Sequence, residues 1–246
     1  MATETVPEAP RYSVGKKDIG EAKNFRWECP IPSNKFWDDL EFTEARNFLQ
    51  NVSPVELETF PIDPESTQAR KEKQELLLKI LQDKLAREDA ASAPQTFYDV
   101  DFDAWDQLWL GIFTFKDALG HPDAEADLRM MIDRKKYPNN RSHEHTLSVL
   151  LFNCGEYAES EALEREVYEW LVGRLGKTSP QALGSRRIIA RSAWKQGPER
   201  IPEAKGIFEE VLELIEESRE GKYGVYADEQ KEITEKMVRD LEEGRL

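Results

Sequence analysis

The chain has 246 residues and a formal net charge of −15, from 34 basic and 49 acidic side chains. Nucleic acids and anionic membranes are bound by a surplus of Lys and Arg, so this balance argues against both as the main partner. A basic or polar protein surface would complement the charge better. No apolar run approaches the roughly 18 residues of a membrane span, so we expect no membrane association.

The N-terminal residues and the two cysteines indicate the cellular compartment. Residues 1–10 carry acidic and proline residues and no apolar core, so no secretory signal is expected. Cys29 and Cys154 are far apart, and two cysteines do not form a disulfide framework. We therefore predict a reduced intracellular compartment, most simply the cytoplasm.

The N-terminal half is predicted to contain an arm and a helical region. Residues 1–24 are polar and contain prolines and glycines, which is typical of a disordered or loosely attached arm. Residues 25–118 form the helical region, which opens with an aromatic, proline-containing strap over residues 25–32. Ser33 or Asn34 is predicted to cap a single helix that continues to Leu49.

Two further helices are predicted before residue 119. The Asp63-Pro64-Glu65 signal predicts the start of a long helix that ends near Pro94, because Asp caps helices and Pro suits their first turn. Asp101 is predicted to cap the next helix, which runs from Phe102 to Leu119. Its apolar residues nearly encircle it, so we expect that helix to be buried.

The remaining chain, residues 119–246, shows a regular pattern of helices separated by glycine and proline. No segment has the alternation typical of strands, so the predicted fold class is all-α. A helix is expected over about 123–136. The following helices are predicted at 142–153, 157–175, 180–196, 202–219 and 227–243.

Two segments of this region resemble each other. Residues 155–171 align with residues 197–215, and Val167 and Val211 illustrate the offset of 44 residues. Leu171 likewise corresponds to Ile215 on the same helical face. Self-similarity at such a period is typical of stacked helical hairpins.

The breaks between these helices resemble a known family. Leu175-Gly176, Ser179-Pro180 and Leu183 look like the inter-repeat linker of kinesin light chain-type tetratricopeptide repeats, which reads roughly Leu-Gly, a spacer, then His-Pro-x-Thr-Leu. Residues 142–147 are similar, and residues 119–123 form a looser match. The resemblance covers about residues 119–243. Ser160 stands where the family usually has Ala, and Glu164 replaces an aromatic residue.

The resemblance implies a fold and a function. It implies a short right-handed solenoid of antiparallel helical hairpins, with the N-terminal helices as an additional layer, that binds a protein or peptide in its concave groove. It transfers no specific ligand residue. The predicted contact residues lie on the first helix of a hairpin, which faces such a groove: Arg186, Arg187, Arg191 and Trp194.

Other residues suggest chemistry, each with a plainer interpretation. His143-Glu144-His145 offers zinc ligands or a proton donor, but positions i and i+2 do not share a helical face, so we expect a structural role and no metal. Trp105 and Trp109, together with His143 and His145, are a possible small-molecule pocket, although aromatic stripes at helical spacing usually form core.

The sequence therefore predicts a protein-binding adaptor or scaffold, with no cofactor and more likely no enzymatic activity. The alternative is an auxiliary enzyme of the cyclase or isomerase type, acting on a hydrophobic small molecule in an aromatic-lined helical pocket. A structural subunit of a larger complex is a third possibility, with the strap near Trp27 docking onto a neighbour.

Overall fold

The computed structural model describes residues 31–245, so the predicted arm over residues 1–24 and residues 25–30 of the strap lie outside the described residues. Within the described range the fold is all-helical, with 75% helix and no strands. This confirms the predicted fold class. No helix in that range is both long and apolar enough to cross a membrane. Contacts divide the described chain into two compact units, residues 31–136 and 137–245.

The first unit contains seven helices among its described residues, and α6 is its central element. α6 packs against α2, α4, α5 and α7. Because α7 packs on α6, the first unit extends to residue 136, beyond the division at 118/119 expected from the sequence. The bounds are α1 Lys35–Asp38, α2 Phe42–Leu49, α3 Pro54–Thr59, α4 Arg70–Ser92, α5 Phe97–Val100, α6 Phe102–Ala118 and α7 Ala124–Arg134.

The predicted single helix from Asn34 to Leu49 is wrong, because two helices occupy that stretch. Asn34 caps α1 by accepting from the backbone of Trp37, and α1 ends after one turn. Glu41 then starts α2 in a capping box with Glu44. Each capping residue satisfies backbone N–H groups that a continuous helix would have bonded internally.

The predicted start of the long helix at Asp63-Pro64-Glu65 is also wrong. The Asp63 carboxylate accepts from the backbone of Glu65 at 3.0 Å, and the Asp63 carbonyl accepts from Ser66. This local turn redirects the chain, and α4 begins only at Arg70. By contrast, Asp101 caps α6 as predicted, since its side chain accepts from the backbone of Ala104 at 3.1 Å.

The second unit contains five long helices whose bounds lie within one residue of the predicted ones. Gly155 ends α8 in the left-handed conformation, with a φ of 88°, and the Ser179 side chain caps α10 directly before Pro180. The bounds are α8 Ser142–Cys154, α9 Tyr157–Leu175, α10 Pro180–Lys195, α11 Ile201–Ser218 and α12 Ala227–Glu242.

Each helix of the second unit packs against the next one along the chain, and α10 also contacts α8 and α12. The matched positions of the internal repeat form the core between these helices. Val167 and Val211 are fully buried, and Leu171 and Ile215 are buried beside them. α10 is therefore the central element of this unit.

Candidate functional site

The four predicted contact residues of α10 point to different neighbours. Arg186 forms an ion pair with Glu210 of α11, and its guanidinium lies 5.1 Å from the ring centroid of Tyr168 on α9. Trp194 packs against the buried cluster that contains Ile189 and Phe208. These two side chains therefore serve the packing of α9, α10 and α11.

Arg187 points instead to α12. Its side chain donates to the Gln230 Oε1 at 2.9 Å and to the Thr234 hydroxyl at 3.3 Å, and the residue is only 6% exposed. Both acceptors are neutral. Burial lowers the pKa of Arg187 to about 10, although the nearby Glu229 opposes that shift.

Glu229 shows the reciprocal effect of the same burial. Its pKa is raised above the ordinary value by burial, which Arg187 only partly offsets. Its Oε2 atom is buried without a hydrogen-bond partner among the described residues. The two side chains influence each other but form no ion pair within 4.0 Å in the part of the chain that the structure describes.

Arg191 lies one turn after Arg187 and points to α8. Its guanidinium carbon lies 4.1 Å from the ring centroid of Phe152, which is a cation–π distance. Its Nε is buried without a hydrogen-bond partner among residues 31–245, and burial lowers its pKa. α10 thus directs one desolvated cation, without an ion pair in the described chain, to each of its two flanking helices, and we call Arg187 and Arg191 the α10 arginine pair.

Carboxylates are not scarce around this pair. Six other arginines of the second unit form ion pairs with Asp or Glu: Arg141, Arg165, Arg186, Arg200, Arg219 and Arg245. For the α10 arginine pair, by contrast, the described residues supply no ion pair with a carboxylate. Arg174 and Arg239 likewise form no ion pair among the described residues, but both are exposed. The α10 arginine pair differs from them because its charges are desolvated.

Exposed apolar side chains lie on α8 and α12, one helical turn from residues that the pair contacts. Val149 is 37% exposed and lies one turn before Phe152 on α8, while Ile233 is 38% exposed and lies one turn after Gln230 on α12. Large apolar groups beside partly buried cations are a frequent composition of protein-binding surfaces. The surface of α8, α10 and α12 is therefore the candidate binding site.

His145 belongs to a different feature, a polar cluster between α8 and α9 that is centred on the buried Glu164. The His145 Nδ1 lies 2.9 Å from the Glu164 Oε1, and the Ser148 hydroxyl donates to the same carboxylate. Glu164 is fully buried. Burial lowers the pKa of His145 and the hydrogen bond with Glu164 raises it, and the net direction is upward. His143 is itself 7% exposed.

The cluster continues into α10. The Ser160 hydroxyl donates to the Ser148 carbonyl at 2.7 Å and lies 3.2 Å from the Ser192 hydroxyl. Ser160 and Glu164 are the two departures from the repeat pattern, and in the structure both belong to this cluster. Within the described residues, no group of three or more His, Cys, Asp or Glu could hold a metal ion.

The predicted pocket residues Trp105 and Trp109 lie in the first unit. Trp105 is 3% exposed, and its ring packs against those of Tyr98 at 5.0 Å, Phe102 at 5.9 Å and Trp109 at 6.2 Å. This packing is that of an aromatic core. His143 and His145 lie on α8 in the second unit, so the pocket formed by all four residues stays a prediction.

Sequence reasoning missed one further concave feature. A cleft of about 470 Å³ in the second unit is lined by Tyr137, Asn139, Asn140, Trp170 and Arg174. The only sequence signal was the spacing of Trp170 and Arg174, which places both on one face of α9.

The chain as a whole matches no protein-family model, no curated protein and no solved structure. The likeness to kinesin light chain-type repeats therefore rests on the linker residues and the internal repeat alone.

Proposed function

We propose that this chain is a cytoplasmic protein-binding adaptor or scaffold whose second unit is a tetratricopeptide-like, right-handed solenoid. In that arrangement α8, α10 and α12 are the first helices of successive hairpins and line one groove. The contacts of α10 with both α8 and α12 support this assignment. The observation that carries the function is the α10 arginine pair, two desolvated cations without an ion-pair partner in the described chain.

The energetics favour a ligand with carboxylates. A buried cation without a carboxylate is costly, and removing that cost requires an anion in direct contact. Hydrogen bonds to charged groups contribute roughly 1.5–3 kcal/mol each, so one carboxylate on Arg191 would strengthen binding by about tenfold or more. The partner segment thus presents carboxylates at the groove.

The net charge of −15 limits the overall charge of the partner outside its contact segment. A strongly acidic partner would be repelled at long range, although salt screens that repulsion beyond about 8 Å. A partner that is basic or neutral overall, with one or two carboxylates at its contact segment, satisfies both conditions. Contacts with Val149 and Ile233 would add apolar area.

Affinity purification of the tagged full-length chain, followed by measurement of the recovered partner's affinity, tests the proposal. Arg191→Glu should weaken that affinity by at least about tenfold, and Arg191→Lys by less, because Lys keeps the charge but loses the fork of donors. Arg87→Glu is the matched control, since Arg87 is exposed on α4 of the first unit. Full affinity in Arg191→Glu would refute the role of this groove.

A further inference from the structure

The cleft of the second unit lies away from the α10 arginine pair. Its residues come from the segment before α8, which contains Tyr137, Asn139 and Asn140, and from the last turns of α9, which carry Trp170 and Arg174. It is open to solvent on one side and has a mainly apolar lining. None of its lining residues belongs to α10 or α12.

The aromatic side chains give the cleft its shape and chemistry. Tyr137 is 47% exposed. Trp170 is partly buried, and the Arg174 guanidinium carbon lies 4.9 Å from its ring centroid. Tyr, Trp and Arg are the residue types that contribute most to binding energy at protein interfaces.

The openness of the cleft argues against a small-molecule pocket. Such pockets bury most of the ligand surface, roughly 70–90%, which a cleft open on one side does not do. An extended peptide needs only a shallow aromatic groove. Proline-rich segments in the polyproline II conformation dock into aromatic-lined grooves in this way, because their backbone is already ordered before binding.

The polar groups at the cleft match such a segment. A polyproline II helix makes no internal hydrogen bonds, so its carbonyl oxygens are available to a donor such as the exposed carboxamide of Asn139. Arg174 is exposed at the same cleft, so its charge favours an acidic residue next to a proline.

We propose that the cleft of Tyr137, Trp170 and Arg174 is a second binding site, which takes a proline-rich segment of a partner protein with an acidic residue beside a proline. The proline rings pack against Tyr137 and Trp170, and the carboxylate pairs with Arg174. This site is independent of the groove of α8, α10 and α12, because the two share no residue.

The test uses the full-length chain and a blocked synthetic peptide, acetyl-Ala-Pro-Glu-Leu-Pro-Glu-Ala-amide, carrying a fluorescent label for anisotropy. We expect saturable binding with a Kd of roughly 10–100 μM, the range of a small peptide contact. Tyr137→Ala should weaken binding by at least about tenfold, and so should replacement of both peptide prolines by alanine. Arg174→Glu should weaken binding of this peptide and strengthen that of its lysine analogue.

Matched controls separate the cleft from other surfaces. Val55→Ala and Arg87→Glu change exposed side chains of the first unit and should bind like the unmodified chain. Arg191→Glu should also bind this peptide normally, even though it disrupts the groove of the proposed function. Far-ultraviolet circular dichroism of Tyr137→Ala and Arg174→Glu should match the unmodified chain, since both side chains are exposed.

Three results would overturn the proposal. Absence of saturation at about 1 mM peptide would remove the site altogether. Equal affinity for the alanine-substituted peptide would show that proline is not recognised. Loss of binding in Arg191→Glu, with Tyr137→Ala unaffected, would place the peptide in the groove instead of the cleft.

Discussion

Replacement of Arg187 by methionine measures what the α10 arginine pair costs the fold. Arg187 is 6% exposed, and burial lowers its pKa to about 10, far below that of an exposed arginine. At pH 7 the side chain is protonated in both the folded and the unfolded chain, so the folded chain bears the full desolvation penalty of the charge. A displacement of between two and three powers of ten in acidity corresponds to about 3 kcal/mol.

The substitution also has an opposing effect. Methionine keeps an unbranched apolar stem, but it leaves the buried Gln230 Oε1 without its donor, which costs roughly 1–3 kcal/mol. The two effects nearly cancel, so Arg187→Met should change the free energy of unfolding by less than about 2 kcal/mol. The double variant Arg187→Met/Gln230→Leu removes both the charge and its acceptor, and should be more stable than the unmodified chain by about 1–3 kcal/mol.

Arg200→Met is the matched comparison, because Arg200 is an arginine with ion-pair partners. Its guanidinium donates to the carboxylate of Glu161 at 2.6 Å, and Glu161 is 5% exposed. Its removal leaves that buried carboxylate with fewer donors and should destabilise the chain by about 1–3 kcal/mol. The contrast between Arg187 and Arg200 tests whether a buried arginine without an ion pair contributes less to stability than an arginine with ion-pair partners.

Urea unfolding at pH 7 and 25 °C, followed by tryptophan fluorescence and by circular dichroism, gives these free energies. The dependence of the unfolding free energy on urea concentration should be the same for all variants, because none of the substitutions changes the surface area exposed on unfolding by much. A loss above about 4 kcal/mol in Arg187→Met would refute the reasoning, as would a double variant less stable than the single one. Arg187 would then be a structural cation.

The remaining predictions concern the two units separately. The pKa of His145 is raised in the folded chain, so its interaction with Glu164 stabilises the chain fully below about pH 6.5 and is lost as the pH rises through the pKa of the folded state. Urea unfolding from pH 5.5 to 8.5 should therefore show that the stability difference between the unmodified chain and His145→Gln shrinks as the pH rises. A difference that stays constant would contradict this. Gly111→Ala should lower the melting temperature, because the new Cβ would lie 3.1 Å from a backbone carbonyl oxygen of α2. Overpacking costs roughly 1–3 kcal/mol, which exceeds the gain of about 1 kcal/mol in helix propensity. An unchanged or higher melting temperature would show that α2 moves to accommodate the methyl group. Lys73 is fully buried, and its Nζ lies 2.7 Å from the Asp39 carboxylate. Lys73→Met should therefore lower the free energy of unfolding in urea by about 1–3 kcal/mol. An unchanged free energy of unfolding would show that the ion pair only offsets its own desolvation.

The second unit was predictable because its helix ends depend on local backbone chemistry. Gly155 adopts a positive φ of 88°, which glycine tolerates best, and Ser179 caps the helix that starts at Pro180. Such signals act within a few residues, so a single sequence contains them.

The short helices of the first unit were missed although their signals were present. Ser53 and Glu56 form a capping box at the start of α3, and Thr96 and Asp99 form one at the start of α5. Both pairs have the three-residue spacing of that motif. The helices that follow have six and four residues, too few to show helical periodicity.

The candidate site was predictable only in part. The sequence indicated that α10 carries arginines, but Arg186 and Arg187 are adjacent and point to different helices. Whether each cation meets a carboxylate depends on residues distant in the chain, such as Glu210 and Gln230. Desolvation of Arg191 likewise depends on Phe152, which no local pattern links to it.

The two buried polar features of the second unit differ in one respect that bears on function. The Glu164 carboxylate receives a hydroxyl from Ser148 and a hydrogen bond from His145, so the fold itself supplies its partners. Arg187 and Arg191 receive no carboxylate from the described chain, although acidic residues outnumber basic ones. A polar group that the fold satisfies stabilises packing, whereas a desolvated charge that it leaves uncompensated reduces stability. A ligand that supplies the missing charge would remove that cost, and for this reason we propose the α10 arginine pair, and not the cluster around Glu164, as the binding surface.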